Sequence, residues 1–420
     1  MEFLTGLYLF FVFVSLYFIS LYLLTYLQNR KQVYEFIKPD KIRDLSIVIP
    51  CYNAVNSIGK TIETHLNSDY KGLKKIIIVD DCSTDGSDKI IKKYARQYSK
   101  VMYVKTPKNT GNAAGAKNYG AKFVKTELIG FSDDDSVPSK DAIYNMVGFF
   151  NDEKVGAVTS RVLVSGMQNF LVRSQSIEYK IIAFTRKLLG FLDAIYVTTG
   201  PLSIYRKTAF DEVNGFDAKN LTEDIEVTWH FVSKGWKVHM AMNALVYTSP
   251  PSVFKDWFTQ RIRWNVGGLQ TISKYRGSAA KSGMLGSFIL PFFFMSWALG
   301  VVGLSFLIYR LFKYFAVKFL VAKYSIAANV ALIRMDSFNL SPSILFVFGI
   351  VLLFTGFSFT LLSLLYSRES KKGIGYKLHD IFIYSFFYLL MYPPLLVIAL
   401  TKFLRGYNQW GGKRFENVKK

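Results

Sequence analysis

The chain has 420 residues, of which 51% are hydrophobic and 16% aromatic, and a formal net charge of +22 at pH 7. This apolar content exceeds that of most soluble proteins of similar length and indicates a protein with both soluble and membrane parts. The charge could attract nucleic acid, anionic headgroups or a phosphorylated ligand; because many basic residues lie beside apolar segments, we favour the membrane and expect no nucleic acid partner. The cysteines are Cys51 and Cys82, and no CxxC or HExxH pattern occurs, which argues against a disulfide framework and a zinc site.

An apolar and aromatic segment extends from Phe3 to Leu27. At about 1.5 Å per residue it can cross a hydrocarbon core about 30 Å thick, so residues 1–28 are predicted to form a transmembrane helix. A cleaved signal peptide is the alternative, but the segment is too long and has neither a basic start nor a small-residue cleavage site. Basic residues follow it, and the positive-inside rule then places the next domain in the cytoplasm. We therefore predict an integral protein of the cell membrane.

Residues 29–250 alternate between short β-branched runs and helical stretches. The predicted strands are Ser46–Ile49, Ile76–Val79, Val101–Val104 and Leu128–Phe131, and the predicted helices include Ser57–Asn67 and Ser87–Tyr98. Continuous apolar strands separated by helices are typical of an α/β domain with a mostly parallel sheet covered on both faces. In such sheets, ligands bind at the carboxyl ends of the strands.

Residues 251–283 are rich in aromatic side chains and arginine and are predicted to form amphipathic helices at the membrane surface. Residues 284–404 are predicted to contain the C-terminal transmembrane helices. Three long apolar regions lie there: Gly286–Tyr309, Ile344–Tyr366 and Ile381–Leu404. The stretch Leu311–Arg334 is ambiguous, because it is apolar but also contains three lysines.

Basic residues lie on both sides of the last apolar region, in Ser367–Lys377 and in the tail, residues 405–420. The positive-inside rule predicts that both are cytoplasmic, which a single crossing cannot satisfy. Pro393 and Pro394 divide the region, and paired prolines cannot continue a helix. A broken re-entrant hairpin is therefore predicted.

Acidic residues follow two of the predicted strands. Asp80 and Asp81 come directly after Ile76–Val79. Their carboxylates could accept hydrogen bonds from a nucleobase or a ribose hydroxyl. They are equally consistent with an ordinary turn that precedes a helix N-cap.

Asp133, Asp134 and Asp135 follow the predicted strand Leu128–Phe131. Three adjacent carboxylates repel one another unless a cation or water neutralises them. Strand geometry would direct Asp133 and Asp135 to one side and Asp134 elsewhere. Two such oxygen donors and a diphosphate form a typical Mg²⁺ or Mn²⁺ site. The alternative is a solvated acidic loop.

Glu223 and Asp224 form an acidic pair after Thr222. A sugar hydroxyl is a poor nucleophile, so a carboxylate must accept its proton during attack, and Asp224 is the candidate general base. The pair could also cap a helix through Ile225–Ser233, and the two roles are compatible.

Gln260, Arg263 and Trp264 are predicted to lie on one helix. A guanidinium can bind phosphate oxygens, and an indole offers a platform for a sugar ring. A basic aromatic helix in contact with lipid headgroups is the alternative. Lys117, in a Gly/Ala-rich stretch, could add a cation near the phosphates, although such a stretch is also an ordinary helix start.

In this order, the residues resemble the membrane-bound family-2 glycosyltransferases, whose motifs are Asp, Asp-x-Asp, Thr-Glu-Asp and Gln-x-x-Arg-Trp. The matches are Asp81, Asp133 with Asp135, Thr222–Asp224 and Gln260–Trp264, within a resemblance from about Leu45 to Gly268. The layout is most similar to poly-N-acetylglucosamine synthases, and less so to hyaluronan, chitin and cellulose synthases. The tail segment Gln409–Arg414 is similar to the gating segment of hyaluronan synthases.

The resemblance implies a GT-A fold, a nucleotide-diphosphate sugar donor (commonly UDP), a divalent metal, Mg²⁺ or Mn²⁺, and inverting transfer. By this analogy Asp224, with Glu223 beside it, is catalytic, Asp133 and Asp135 bind the metal, and Gly200 and Trp264 contact the acceptor. The expected donor-binding residues are Asp80, Asp81, Lys117, Asp133, Gln260, Arg263 and Trp264.

We therefore expect a membrane glycosyltransferase that extends a polysaccharide, with membrane lipids as partners and an accessory subunit as a further candidate. One alternative is the transfer of a single sugar to a lipid-linked acceptor. A transporter or receptor with a nucleotide-sensing domain is the other. It predicts charged residues within the spans, which the main apolar regions almost lack.

Overall fold

An eight-stranded sheet forms the centre of the soluble part in the computed structural model, which describes residues 2–279, 281, 283–328, 344–366, 376–407, 409–410 and 413–414. The strands are β1 (Leu45–Cys51), β2 (Leu73–Asp80), β3 (Val101–Lys105), β4 (Leu128–Phe131), β5 (Val137–Pro138), β6 (Val155–Val164), β7 (Ser203–Arg206) and β8 (Lys237–Thr248). Their order in space is β3-β2-β1-β4-β7-β6-β8-β5. Strands β3, β2, β1 and β4 are mutually parallel, as are β6 and β8, whereas β7 and β5 pair antiparallel with their neighbours. The predicted mostly parallel α/β sheet is confirmed.

The strands are apolar because the sheet is covered on both faces. Every residue of β1 is buried, and alternate side chains enter two separate cores. Val48 and Val79 belong to one core, while Ile47 and Ile78 belong to the other. This two-sided burial explains why the predicted strands appear as continuous rather than alternating apolar runs.

The helices of the soluble part follow the strands along the chain. They are α2 (Ile58–Leu66), α3 (Ser87–Gln97), α4 (Ala113–Ala121), α5 (Ala142–Val147), α6 (Phe170–Gly190), α7 (Lys207–Glu212), α8 (Glu223–Ser233) and α9 (Phe254–Tyr275), after the N-terminal α1 (Glu2–Asn29). The predicted helices at Ser57–Asn67 and Ser87–Tyr98 correspond to α2 and α3.

Helix α4 approaches the sheet closely through a glycine. A Cβ at Gly120 would lie 2.5 Å from Val48 Cγ1, so only glycine permits this packing distance. The Asn112 side chain caps the helix by accepting a hydrogen bond from Gly115 N at 2.8 Å. Together these contacts fix the position of Lys117, in the middle of α4.

Three helices of the described residues are long and apolar enough to cross a membrane: Phe3–Asn29, Leu285–Ala327 and Leu378–Leu404. The second contains α10 (Leu290–Ala327), which unites the predicted span Gly286–Tyr309 with most of the ambiguous stretch that follows. A further apolar helix, α11 (Ile344–Tyr366), has the bounds expected from the sequence.

The broken hairpin predicted at Pro393-Pro394 is wrong, because Leu378–Leu404 is one continuous helical segment. It consists of α12 (Leu378–Ile383), one π-helical and one 3₁₀-helical turn, and α13 (Tyr392–Leu404). The prolines occupy the start of α13, where a missing backbone N–H is tolerated. The π-helical and 3₁₀-helical turns before the prolines shift the backbone hydrogen-bonding pattern, and the chain continues in the same direction.

Most of the basic stretch Ser367–Lys377 lies outside the described residues, as does residue 408 and most of the tail beyond it. Within the tail, Gln409–Trp410 and Lys413–Arg414 form a short antiparallel pair. The predicted similarity of this segment to a gating element stays a prediction.

Candidate active site

A cavity of about 560 Å³ lies at the carboxyl ends of β1, β2 and β4. Helices α4, α6, α8 and α9 complete its walls. The predicted site residues that line it are Asp81, Lys117, Asp133, Asp135, Gly200, Glu223, Asp224, Gln260, Arg263 and Trp264. Residues that are more than 180 positions apart in the chain thus meet in one cavity.

Asp80 is the one predicted site residue that does not line the cavity. Its side chain is fully buried, accepting hydrogen bonds from Ser83 N at 2.8 Å and Tyr103 Oη at 3.0 Å. Asp80 is the last residue of β2, so its side chain and that of Asp81 point in different directions. The geometry therefore favours a role for Asp80 in holding the turn rather than in contacting a donor.

Asp81 borders the cavity, but its carboxylate is already well occupied. It accepts hydrogen bonds from Thr106 Oγ1 at 2.8 Å and from the backbone and hydroxyl of Thr110 at 2.8–3.0 Å. Asp81 thereby fixes the loop before α4. The residue after it, Cys82, has a φ of 64°, as does Asn53 after β1 with 53°, and such strained backbone is frequent at functional sites.

Asp133, Asp134 and Asp135 all line the cavity, and the expected divergence of Asp134 from its neighbours stays a prediction. Strand β4 ends at Phe131, and a turn follows in which Ser136 N donates to Asp133 O at 3.3 Å. Because the three aspartates lie in this turn, the alternation of strand side chains does not apply to them.

The crowded carboxylates have perturbed proton affinities. Burial, together with Asp133 and Asp135, raises the pKa of Asp134 to about 7. Burial and Asp133 raise the pKa of Asp135 to about 6. Mutual repulsion of this kind is relieved by a cation, and carboxylate oxygens are the ligands that Mg²⁺ and Mn²⁺ prefer.

The side chains that the structure describes do not by themselves complete the coordination of a divalent metal, so a bound substrate would have to supply the remaining oxygen ligands. In the described part of the chain, no group of three or more His, Cys, Asp or Glu side chains is placed to hold a metal ion. Asp133 and Asp135 supply two carboxylates, and a diphosphate in the cavity would supply the remaining oxygens. A metal that shares its ligands with substrate phosphates is the usual arrangement for Mg²⁺.

Gly200 lies directly against the carboxylate of Asp133. A Cβ at Gly200 would lie 2.5 Å from Asp133 Oδ2, closer than any real contact. Glycine is therefore required here so that the carboxylate can occupy its position. The structure places Gly200 beside a predicted metal ligand, a position that sequence reasoning assigned to the acceptor side.

Lys117 links the two acidic groups of the site. Its Nζ lies 3.2 Å from Asp133 Oδ1 and 3.1 Å from Glu223 Oε1, and the side chain is buried. Burial lowers the pKa of Lys117, but Asp133 and Glu223 outweigh this effect and raise it above its ordinary value. The ammonium therefore stays charged and connects the turn after β4 to the start of α8.

Asp224 and Glu223 differ in their proton affinity because Lys117 contacts Glu223 directly, at 3.1 Å, whereas Asp224 is repelled by Glu223. Burial and the adjacent Glu223 raise the pKa of Asp224 to about 6, against the opposing effects of Lys117 and Arg263. Burial raises the pKa of Glu223 as well, but Lys117 and Arg263 hold it below its ordinary value. A carboxylate with a pKa close to the working pH is suited to accept a proton from a hydroxyl.

Helix α9 holds the loop that presents Asp224. Arg263 Nη1 donates to Leu221 O at 2.9 Å, and Leu221 N donates to Gln270 Oε1 at 2.9 Å. Gly267 faces the same loop, because a Cβ there would lie 2.7 Å from Thr222 N. The predicted helix at Gln260–Trp264 is therefore part of the support for the candidate base as well as a wall of the cavity.

Arg261, next to the cavity-lining residues of α9, is buried in a polar cluster that joins three helices. Its Nη2 lies 2.6 Å from Glu178 Oε2 on α6, and its Nε donates to Tyr392 Oη at 2.9 Å. Tyr388 Oη donates to Glu178 Oε2 at 2.7 Å. The Arg261 guanidinium also lies 4.1 Å from the ring centre of Trp264. These contacts connect the cavity to the last apolar segment.

Sequence reasoning missed the wall formed by α6. Tyr179, Ile182, Ala183 and Arg186 all line the cavity. Their spacing of three and four residues places them on one face of the helix. That spacing is visible in the sequence, but it resembles any amphipathic helix, and only the fold shows what the face contacts.

The fold and the residues around the cavity indicate which class of protein this is. A mostly parallel, Rossmann-like sheet, with acidic turns and a basic helix around a cavity at its carboxyl edge, is the GT-A architecture of glycosyltransferases. Residues 46–213 match the family model described as glycosyl transferase family 2. This part of the chain is therefore similar to the family-2 glycosyltransferases, the family that the sequence motifs resemble.

Similar proteins extend the likeness beyond that domain. A poly-beta-1,6-N-acetyl-D-glucosamine synthase from Staphylococcus aureus (strain MSSA476) is 28% identical over 290 residues, covering 67% of this chain and 69% of that protein. The synthase of the same name from Staphylococcus epidermidis is 26% identical over 393 residues, covering 90% and 89%. The chain thus resembles these synthases along most of its length.

A solved structure supports the fold. The mannosyltransferase PcManGT from Pyrobaculum calidifontis, in complex with GDP-Man and Mn²⁺, superposes with a TM-score of 0.57. The alignment covers 96% of this chain and 99% of that one, at 14% sequence identity. The arrangement of the soluble domain and the apolar helices is therefore shared, whereas so low an identity says nothing about substrate.

Proposed function

We propose that this glycosyltransferase moves a sugar from a nucleotide-diphosphate donor, a UDP-sugar, to the end of a growing polysaccharide, with inversion at the anomeric carbon. The observation that supports this most directly is the meeting of Asp224, Asp133 and Arg263 in one cavity. The names of the similar synthases favour a polymer product, and they make UDP-N-acetylglucosamine the first donor to test.

Asp224 is the general base of the proposed reaction. Its carboxylate accepts the proton of the acceptor hydroxyl while the hydroxyl oxygen attacks the anomeric carbon. The bond from that carbon to the donor diphosphate breaks, and its electron pair leaves with the phosphate oxygen. Because attack and departure occur on opposite sides of the carbon, a single displacement inverts its configuration.

The other residues bind and orient the two substrates. Arg263 and Lys117 supply positive charge for the diphosphate, and Gln260 lies beside them on the cavity wall. Trp264 offers a flat apolar face to the acceptor sugar, and Asp81 lies where a nucleobase would reach the cavity edge. Mg²⁺ or Mn²⁺, held by Asp133 and Asp135, would offset the charge of the leaving diphosphate.

We infer from the apolar helices that the reaction takes place at a membrane. Three described helices can cross a bilayer, and the basic residues that follow α1 favour a cytoplasmic soluble domain in the cell membrane. Membrane lipids are then direct partners, and an accessory subunit remains a candidate partner.

A second candidate is the addition of one sugar to a lipid-linked acceptor. It is favoured by the small number of long candidate spans among the described residues, since a polymer channel needs enough helices to enclose it. The two candidates differ in product length. A ladder of oligomers supports the polysaccharide synthase, and a single added sugar supports the alternative.

The test uses the full chain, purified in detergent and supplied with Mg²⁺ or Mn²⁺ and a panel of nucleotide sugars. We expect release of UDP from UDP-N-acetylglucosamine and products longer than one sugar. Asp224→Asn should lower turnover about 10²–10⁴-fold while donor binding, measured by calorimetry, is retained. No nucleotide release from any donor would overturn the proposal, and an Asp224→Asn variant with unchanged output would favour a nucleotide sensor.

A further inference from the structure

Arg186 is a buried cation of the cavity to which neither the motifs nor the proposed reaction gives a role. It lies near the end of α6, lines the cavity and is only 5% exposed. Its Nε has no hydrogen-bond partner among the described residues, and no carboxylate there forms an ion pair with it. A buried guanidinium with unused donors is costly, so such a group in a cavity indicates a ligand that supplies acceptor oxygens.

The surroundings of Arg186 show which part of the cavity it serves. Its guanidinium lies near the hydroxyl of Tyr196, whose ring packs edge-on against Phe293 at a centroid distance of 4.6 Å. Phe293 lies in the first turn of α10, a candidate membrane span. On the other side, the Asp224 carboxylate attracts Arg186. Arg186 thus lies between the candidate base and the apolar helices.

The rest of the α6 wall suits a sugar. Tyr179, Ile182 and Ala183 precede Arg186 on the same face of the helix and line the same cavity. A sugar ring has apolar C–H faces and a rim of oxygen atoms, which match an apolar wall that ends in a hydrogen-bond donor. The diphosphate has other cations available, because Lys117 and Arg263 lie beside Asp133 and Glu223.

We propose that Arg186 is an acceptor-binding residue, whose guanidinium donates hydrogen bonds to oxygen atoms of the terminal acceptor sugar and so holds the attacking hydroxyl at Asp224. This inference rests on the proposed function, because it assigns a subsite of the same cavity. The acceptor then enters from the side of α10, and the donor from the side of Asp81.

The experiment separates the two substrates by comparing transfer with hydrolysis. The full-length enzyme is given UDP-N-acetylglucosamine, either with water as the only acceptor or with purified β-linked N-acetylglucosamine oligomers at increasing concentration. For Arg186→Gln we expect an acceptor KM raised about tenfold, which corresponds to about 1.4 kcal/mol. Donor KM and the rate of donor hydrolysis should stay within about twofold of the wild type, since hydrolysis needs no bound sugar acceptor.

Three further variants control the result. Arg173→Gln makes the same change on the same helix, at a side chain that is 40% exposed and does not line the cavity; loss of its ion pair with Asp380 should lower stability but leave both KM values unchanged. Arg186→Lys keeps the charge and one donor and should recover part of the acceptor affinity. Arg263→Gln should instead raise the donor KM, because that residue is assigned to the diphosphate.

Two results would overturn the inference while leaving the proposed function intact. A higher donor KM in Arg186→Gln, with an unchanged acceptor KM, would move Arg186 to the diphosphate. An equal fall of hydrolysis and transfer, with both KM values unchanged, would make it a structural residue. If the wild-type enzyme consumed no nucleotide sugar under any condition, the proposed function would fail and this inference with it.

Discussion

Asp224 has a raised pKa because it is buried beside Glu223, and its pKa determines how the reaction should depend on pH. A general base must be ionised, so turnover should rise with pH through about 6 and level off above it. Removing the neighbouring charge in Glu223→Gln should lower the pKa of Asp224 and move the acidic limb of the profile to lower pH. The measurement is kcat against pH for both enzymes. An acidic limb that stays in place would show that Asp224 is not the titrating base.

Gly200 should control how tightly the site binds its metal, because it leaves room for the carboxylate of Asp133. Gly200→Ala would press a methyl group against Asp133 and displace its carboxylate, so the metal concentration needed for half-maximal activity should rise by about tenfold or more. The measurement is activity during a Mn²⁺ titration. Gly268→Ala is the control, because a Cβ at Gly268 meets nothing within 4 Å. Equal metal dependence in both variants would contradict the assigned contact.

The individual site residues were predictable to an unequal degree. Asp81, Asp133, Asp135, Asp224 and Arg263 follow recognisable motifs, and all of them line the cavity. Arg186 was missed because an arginine on an amphipathic helix carries no local signal that distinguishes a binding residue from a surface one. Asp80 was included only because it adjoins Asp81, and the side-chain direction that separates the two is a property of the folded strand.

At the scale of elements, the contact between α9 and the loop before α8 determines where the candidate base lies. Gly267 permits this contact, so Gly267→Ala should push α9 away from Thr222 and lower kcat by about tenfold or more. Gly268→Ala, one position further along the same helix, should leave kcat unchanged and stabilise the helix by up to about 1 kcal/mol. Steady-state kinetics and thermal unfolding of the pair test this. Equal effects in both variants would count against the packing argument.

The sequence predicts the strands of one half of the sheet but not those of the other half. Strands β1 to β4 are short apolar runs bounded by turn residues, and their parallel pairing follows from the helices between them. Strand β7 is only four residues long, and β6 and β8 are long and interrupted by register shifts, so no simple period marks them. Their pairing depends on contacts between segments that are distant in the chain. No local pattern specifies such contacts.

At the scale of the whole molecule, the cluster around Arg261 and Glu178 unites the soluble domain with the last apolar segment. Removal of one partner leaves a buried charge uncompensated, so Arg261→Met should lower the free energy of unfolding by about 3–5 kcal/mol. The double variant Arg261→Met/Glu178→Met removes both charges and should be more stable than either single variant. Thermal unfolding of the four purified proteins measures this. A double variant no better than the singles would show that the pair does not act as a unit.

The length of α10 has a consequence for how the protein sits in the bilayer. Its 38 residues extend about 57 Å, nearly twice the hydrocarbon thickness of about 30 Å. Keeping all of it in the hydrocarbon would need a tilt of about 60°, beyond the observed range of roughly 0–40°. About twenty residues suffice to cross, and Arg310, Lys313, Lys318 and Lys323 begin where that count is reached. The distal half combines these cations with exposed apolar side chains such as Phe312 and Phe319, so it should lie along the headgroup region rather than within the hydrocarbon.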